Sequence, residues 1–201
     1  MNKFFDFFKK NSTDIIKPTT VLLAICVIIP LALSLTNKIT VKKIARLEEE
    51  NSKKAMACLI TADDFRTATV SDTEYYEAVK DGNTVGYIFK TSSKGYGGDV
   101  SVMTAINPDG TVKSVAILDV SNETPGLGQN AAKENFYSQY AGKKKGVSLL
   151  KNSADSEKNE VDAVTGATIT STAINRAVNE ALDEFEKLSK SKTEAEVTDG
   201  E

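Results

Sequence analysis

The chain has no histidine and no tryptophan, and only two cysteines in 201 residues. Without histidine it lacks the commonest general base, proton shuttle and metal ligand at once. A Ser-His-Asp triad and a Cys-His pair are therefore excluded. Cys26 and Cys58 are too few for a four-cysteine zinc site or an iron–sulfur cluster. Cys26 lies inside an apolar run, which argues against a disulfide between the two. Any redox role then rests on a bound organic cofactor, with no metal. Charge is close to balance, at −3 net, and no basic aromatic-rich patch occurs, so no nucleic acid is expected as a partner.

What is present begins with an apolar run. Residues 19–36, TTVLLAICVIIPLALSLT, carry no charge and are long enough to cross a bilayer as a helix. A transmembrane helix is expected over 18–37, with Pro30 bending it and not ending it. A cleaved signal peptide is the rival, but the preceding segment is long and no small-x-small cleavage site follows. Residues 1–17, with four phenylalanines among lysines, are expected to lie on the lipid membrane as an interfacial segment. Lysines and arginines flank the span equally on both sides, so charge alone leaves its orientation open.

Beyond the span the pattern predicts a helical stalk over 38–60, one soluble domain over 61–190 and a disordered polar tail over 191–201. Within the domain, residues 83–122 show a strand, a glycine loop and two further strands, with NPDG at 107–110 as the hairpin turn. A helical stretch is expected around Ala131–Tyr140. Ile174, Ala177, Val178, Ala181, Leu182, Phe185 and Leu188 recur at three- and four-residue steps, the stripe of an amphipathic helix. Clustered strands with helices at the ends make an α+β fold.

Two loops carry candidate chemistry. DAVTGATITSTAIN, 162–175, places Thr165, Gly166, Ala167 and Thr168 at the start of that amphipathic helix. Unpaired N–H groups and the helix dipole favour a phosphate there, and Gly166 and Ala167 keep bulk away. The same composition also makes an ordinary helix cap, and local physics leaves both readings open. NETPGLGQN, 122–130, suits a type II turn at Thr124-Pro125-Gly126, with Gly128 as a second unhindered position. Glu123, Thr124 and Leu127 there offer an acceptor, a donor and an apolar contact to a planar ligand; on local grounds an ordinary surface turn after the strand ending at Val120 is the simpler reading. SSKGYGGD, 92–99, lacks the strand–G-x-G-x-x-G–helix context and is weak as a phosphate loop.

Taken with the single span, the stretches GYGGDVSVMTAINPDGTVKSVAILD, ETPGLG, NFYSQYAGK and DAVTGATITS resemble, in order, one known domain. It is the FMN-binding domain of the G subunit of Rnf-type electron-transport complexes, shared with the C subunit of sodium-translocating NADH:quinone reductase. The resemblance implies FMN joined through its phosphate to a threonine, here Thr168, by a phosphoester bond. It implies a flavin transferase that reads Asp162, Thr165, Gly166 and Ala167, and flavin contacts from Glu123, Thr124, Leu127 and Gly128. Thr170 and Ser171 are expected as phosphate or cap donors. Members of the family often carry a histidine two residues before the glutamate, where this chain has Ser121.

The function so implied is that of a redox component of a translocase, with no complete active site of its own. It would relay electrons inside a complex that couples ferredoxin:NAD electron transfer to Na⁺ or H⁺ translocation, beside other membrane subunits. Its localisation would be the cell membrane, single-pass, with the domain extracytoplasmic, where a covalent tether prevents loss of FMN. Three alternatives stand beside it: the quinone-reductase subunit, a stand-alone extracytoplasmic flavin carrier, and a non-redox membrane-anchored adaptor. Outside the motifs, Cys58 is expected to be an inert apolar residue, GKKKG at 142–146 a solvated loop, and Tyr75, Tyr76 and Tyr96 core or turn residues.

Overall fold

A computed structural model describes residues 12–70, 73–155 and 157–198. The chain divides into two units, Met1–Glu50 and Asn51–Glu201. Helix α1, Ser12–Leu59, continues through Pro18 and Pro30. Among the described residues it is the one helix long and apolar enough to cross a membrane. Its apolar side chains, Leu22, Ile28, Leu33 and others, are exposed from residue 16 to residue 47, as a lipid-facing surface requires. Residues 1–11 of the expected interfacial segment lie outside the described residues.

The second unit is built on a five-stranded antiparallel meander in the order β1-β2-β3-β4-β5: Asp64–Val70, Thr73–Lys80, Asn83–Lys94, Asp99–Ile106 and Val112–Asp119. β3, β4 and β5 match the expected strands. β1 and β2 are additional, and the sequence conceals them because both faces of β2 are covered and its apolar residues adjoin instead of alternating. Tyr75 enters one core while Tyr76 packs against the other. Asp81 and Gly82, both at positive φ, make the two-residue turn joining β2 to β3. NPDG turns β4 into β5, with the Gly110 N–H donating to the Asn107 carbonyl at 2.9 Å.

Side chains along β4 alternate between two cores. Val100, Val102 and Ile106 face helix α3, which spans Thr168–Thr198, while Met103 and Ala105 face the end of α1. On that second face Met56, Leu59 and Ile60 are buried with Ala78, Ile88 and Met103. The domain's core therefore begins before residue 61, inside what the sequence presents as stalk. α3 lays Ala173, Ile174, Ala177, Val178, Ala181 and Leu182 on the other face, and the Thr91 hydroxyl donates to the Ala177 carbonyl at 2.9 Å.

Smaller elements cap this layer. Helix α2, Glu134–Tyr137, is one turn between 3₁₀ turns at Gly128–Ala132 and Ser138–Tyr140, in place of the longer helix expected. A two-stranded parallel ribbon pairs β6, Ser148–Leu150, with β7, Glu160–Asp162, and leads into the loop before α3. Burial pushes the Tyr140 hydroxyl well above its usual range.

Two surface segments are more structured than their composition implies. In 142–146, Lys143 is buried and donates to the Lys158 carbonyl, and Lys145 pairs with Asp183 at 2.8 Å and Glu186 at 2.6 Å. The loop is thus pinned to α3 by its own charges. α3 also continues to Thr198, into the segment expected to be disordered. Within that segment Lys192 bonds Glu77 at 2.5 Å and sits 4.7 Å over the Tyr87 ring.

Candidate functional site

Two glycine turns meet at the start of α3. In 124–127 the Leu127 N–H donates to the Thr124 carbonyl at 3.2 Å, and in 164–167 the Ala167 N–H donates to the Val164 carbonyl at 3.0 Å. Gly126 and Gly166 both have φ of +77°, while the residues before them keep negative φ, so both are type II turns. A Cβ on Gly166 would stand 3.1 Å from Leu127 Cδ2, so the two turns lie in contact.

Between the turns lies a cleft of about 510 Å³. One wall is Glu123, Thr124, Leu127 and Gly128; the other is Gly166, Ala167, Thr168, Ile169 and Thr170; Tyr96 closes one side. The Thr168 side chain is exposed where α3 opens. The first backbone N–H groups of a helix have no intrahelical acceptor, so this opening presents free donors beside that hydroxyl.

Eight of the eleven expected site residues converge here, but not all in the expected roles. Glu123 is buried, at 2 % exposure, and accepts from the Gly97 N–H at 3.0 Å and from the Thr170 hydroxyl at 2.5 Å. Thr170 is equally buried, so its hydroxyl serves Glu123 and is not offered to a phosphate. Ser171 is fully buried below the loop, where its Oγ accepts from the Val164 N–H and donates to the Ala167 carbonyl, both at 3.0 Å. It holds the 164–167 turn against α3 from inside.

Asp162 and Thr165 line a neighbouring depression of about 350 Å³ with Lys133, Phe136 and Gln139. The Asp162 carboxylate accepts from the Ser153 and Ala154 N–H groups at 2.8 and 2.9 Å, and so fastens the loop after β6. Its backbone N–H donates to Gln139 Oε1 at 2.9 Å.

Sequence reasoning missed Tyr96, Ile169 and the part played by residues 95–98. Tyr96, Leu127 and Ile169 are 72, 45 and 54 % exposed, and among the described residues they are the large exposed apolar side chains outside 16–47. All three line this one cleft. The 95–98 loop supports Glu123 through backbone proximity: a Cβ on Gly97 would fall 1.8 Å from the Asn122 carbonyl oxygen. Tyr96 accordingly sits on a turn, as expected, but at the cleft's rim.

An exposed hydroxyl beside free N–H donors, with an apolar rim nearby, suits a ligand having both a phosphate and a planar ring. Comparison with known proteins agrees. Residues 95–183 match the family described as FMN-binding domain. The G subunit of the proton-translocating ferredoxin:NAD(+) oxidoreductase complex of Clostridium ljungdahlii is 33 % identical, over 87 % of this chain and 94 % of that protein. The G subunit of the Na(+)-translocating ferredoxin:NAD(+) oxidoreductase complex of Acetobacterium woodii is also 33 % identical, over 85 % of this chain and 91 % of its own length. Among solved structures, the C subunit of the Na(+)-translocating NADH-quinone reductase of Parabacteroides distasonis is similar, with a TM-score of 0.50 at 26 % identity. That match covers 57 % of this chain and 61 % of the other. The chain belongs to the family of G subunits of ion-translocating ferredoxin:NAD⁺ oxidoreductase complexes.

Proposed function

We propose that this chain is the membrane-anchored, FMN-carrying electron-transfer subunit of a complex that couples ferredoxin:NAD electron transfer to Na⁺ or H⁺ translocation. The observation that carries the proposal is the exposed Thr168 at the opening of α3, in a cleft edged by three exposed apolar side chains. The residues present fit FMN. The cleft's size lies within the roughly 300–1,000 Å³ of small-molecule sites. Gly166 and Ala167 leave the backbone open to a phosphate, and Tyr96, Leu127 and Ile169 offer apolar surface to a flat ring. Bound FMN supplies one- and two-electron transfer, which no side chain of this protein provides.

The chain's own residues bind and orient. Thr168 would hold FMN as a phosphoester at Oγ1, with the leaving group of the flavin donor departing in the transferase, and the helix-opening N–H groups would favour the phosphate's negative charge. No histidine is present to deprotonate Thr168, so a separate flavin transferase supplies the activation. Gly128 keeps a Cβ out of the contact between Glu123 and Thr170, which joins the two walls of the cleft. Ser171 and Asp162 hold the acceptor turn and its approach in place. The domain is extracytoplasmic in this proposal, because a covalent tether retains FMN where no cytoplasmic pool replaces it.

Intact mass and in-gel fluorescence of full-length protein produced with its flavin transferase test the assignment. Wild type is expected to gain the mass of one FMN residue, and Thr168→Ala to lose both the gain and the fluorescence. Equal, unmodified masses in the two would end the flavin reading and leave the adaptor. The likeness to a quinone-reductase component makes that complex the second reading. Co-purification with an iron–sulfur, ferredoxin-reactive protein distinguishes the first from the second.

A further inference from the structure

Among the residues lining the cleft, Glu123 is the one carboxylic side chain, and no lysine or arginine joins it there. Its two oxygens receive hydrogen bonds from the Gly97 N–H and the Thr170 hydroxyl. The fold reserves space for it. A Cβ on Gly95 would come within 2.4 Å of Glu123 Oε1, and one on Gly128 within 2.8 Å of Oε2. Burying a carboxylate is costly unless it is well bonded, and a plain loop tie could be made with neutral groups.

We propose that Glu123 is an electrostatic determinant of the flavin's reduction potential: a fixed negative charge that makes the bound flavin harder to reduce. The Thr170 hydroxyl and Gly97 N–H set how much of that charge reaches the cleft. The proposal rests on the reading of this cleft as the FMN site. Reduction by two electrons with uptake of one proton adds one net negative charge to the ring system. A buried carboxylate lining the same cleft disfavours that added charge, and low local polarizability lets the interaction persist where water would quench it.

The test uses full-length protein produced with its flavin transferase, with adduct mass and the flavin's midpoint potential as readouts. Glu123→Gln preserves shape and removes the charge; it is expected to carry FMN with its potential shifted upward. Thr170→Ala removes a donor and leaves the charge less compensated, so its potential is expected to shift downward. A purely structural tie predicts something else, since loosening it from either side admits water and moves both potentials the same way. That result, or an unchanged potential in either loaded variant, overturns the proposal. Should Glu123→Gln fail to acquire flavin, Thr170→Ala decides alone: a downward shift supports the proposal, and an upward or absent shift overturns it. Wild type without an FMN adduct would remove the underlying reading of the cleft, a result distinct from any shift in potential.

Discussion

At the scale of single residues, the site is organised by buried polar side chains. Glu123, Thr170 and Ser171 are all buried, and between them they fix two loops to the start of α3. Gly128 is the smallest part of this arrangement and among the easiest to perturb. A Cβ there would meet Glu123 Oε2 at 2.8 Å, Glu123 Cβ at 2.9 Å and Thr170 Oγ1 at 2.9 Å. Gly128→Ala is therefore expected to lower stability by about 1–3 kcal/mol through overpacking, and to reduce FMN loading. Urea unfolding and intact mass check the two effects, and an unaltered midpoint would show that the loops yield freely. The hydroxyl-rich start of α3 and the turn at Thr124-Pro125-Gly126 are legible in the sequence, because hydroxyls, proline and glycine act locally; the turn at 164–167 is not, since its residues read there as the opening of the helix. The Glu123–Thr170 bond is not legible there, since its partners lie 47 residues apart and only the fold brings them together.

At the scale of elements, the same division between local and distant causes recurs. The stripe on α3 and the NPDG hairpin announce themselves by period and turn chemistry. β1 and β2 do not, because a sheet covered on both faces removes the alternation by which strands are recognised. Asp81-Gly82 is the remaining local signal, and it joins β2 to β3. The end of α1 is hidden for another reason: a charged stalk composition conceals three residues that bury themselves in the sheet. Met56, Leu59 and Ile60 are each worth about 1.5–3 kcal/mol of apolar burial, together comparable to a domain's whole net stability of about 5–15 kcal/mol. A soluble version starting at Asn51 is expected to fold cooperatively, and one starting at Thr61 to lose its transition or aggregate. Circular dichroism melts of the two decide; equal melting temperatures would place the α1 end outside the folding unit.

At the scale of the whole molecule, the orientation proposed for the domain has a built-in reporter. Both cysteines are free; Cys26 lies within the apolar span and Cys58 is exposed near the end of α1. A membrane-impermeant maleimide is expected to modify Cys58 in sealed right-side-out vesicles and to miss it in inverted ones, with Cys58→Ser as the blank. Labelling of the inverted vesicles alone would put the domain on the cytoplasmic side. The exposed trio of Tyr96, Leu127 and Ile169 has a consequence for the life history of the protein. Before maturation it is a sticky spot on an otherwise polar domain, the kind of surface that invites chaperones and self-association. A ring seated there by the transferase would cover that spot with the cofactor itself. Attachment would then act as a finishing step in biogenesis: the same event that makes the protein redox-active would also make it well behaved, and unloaded chains would be distinguishable by touch before any electron is passed.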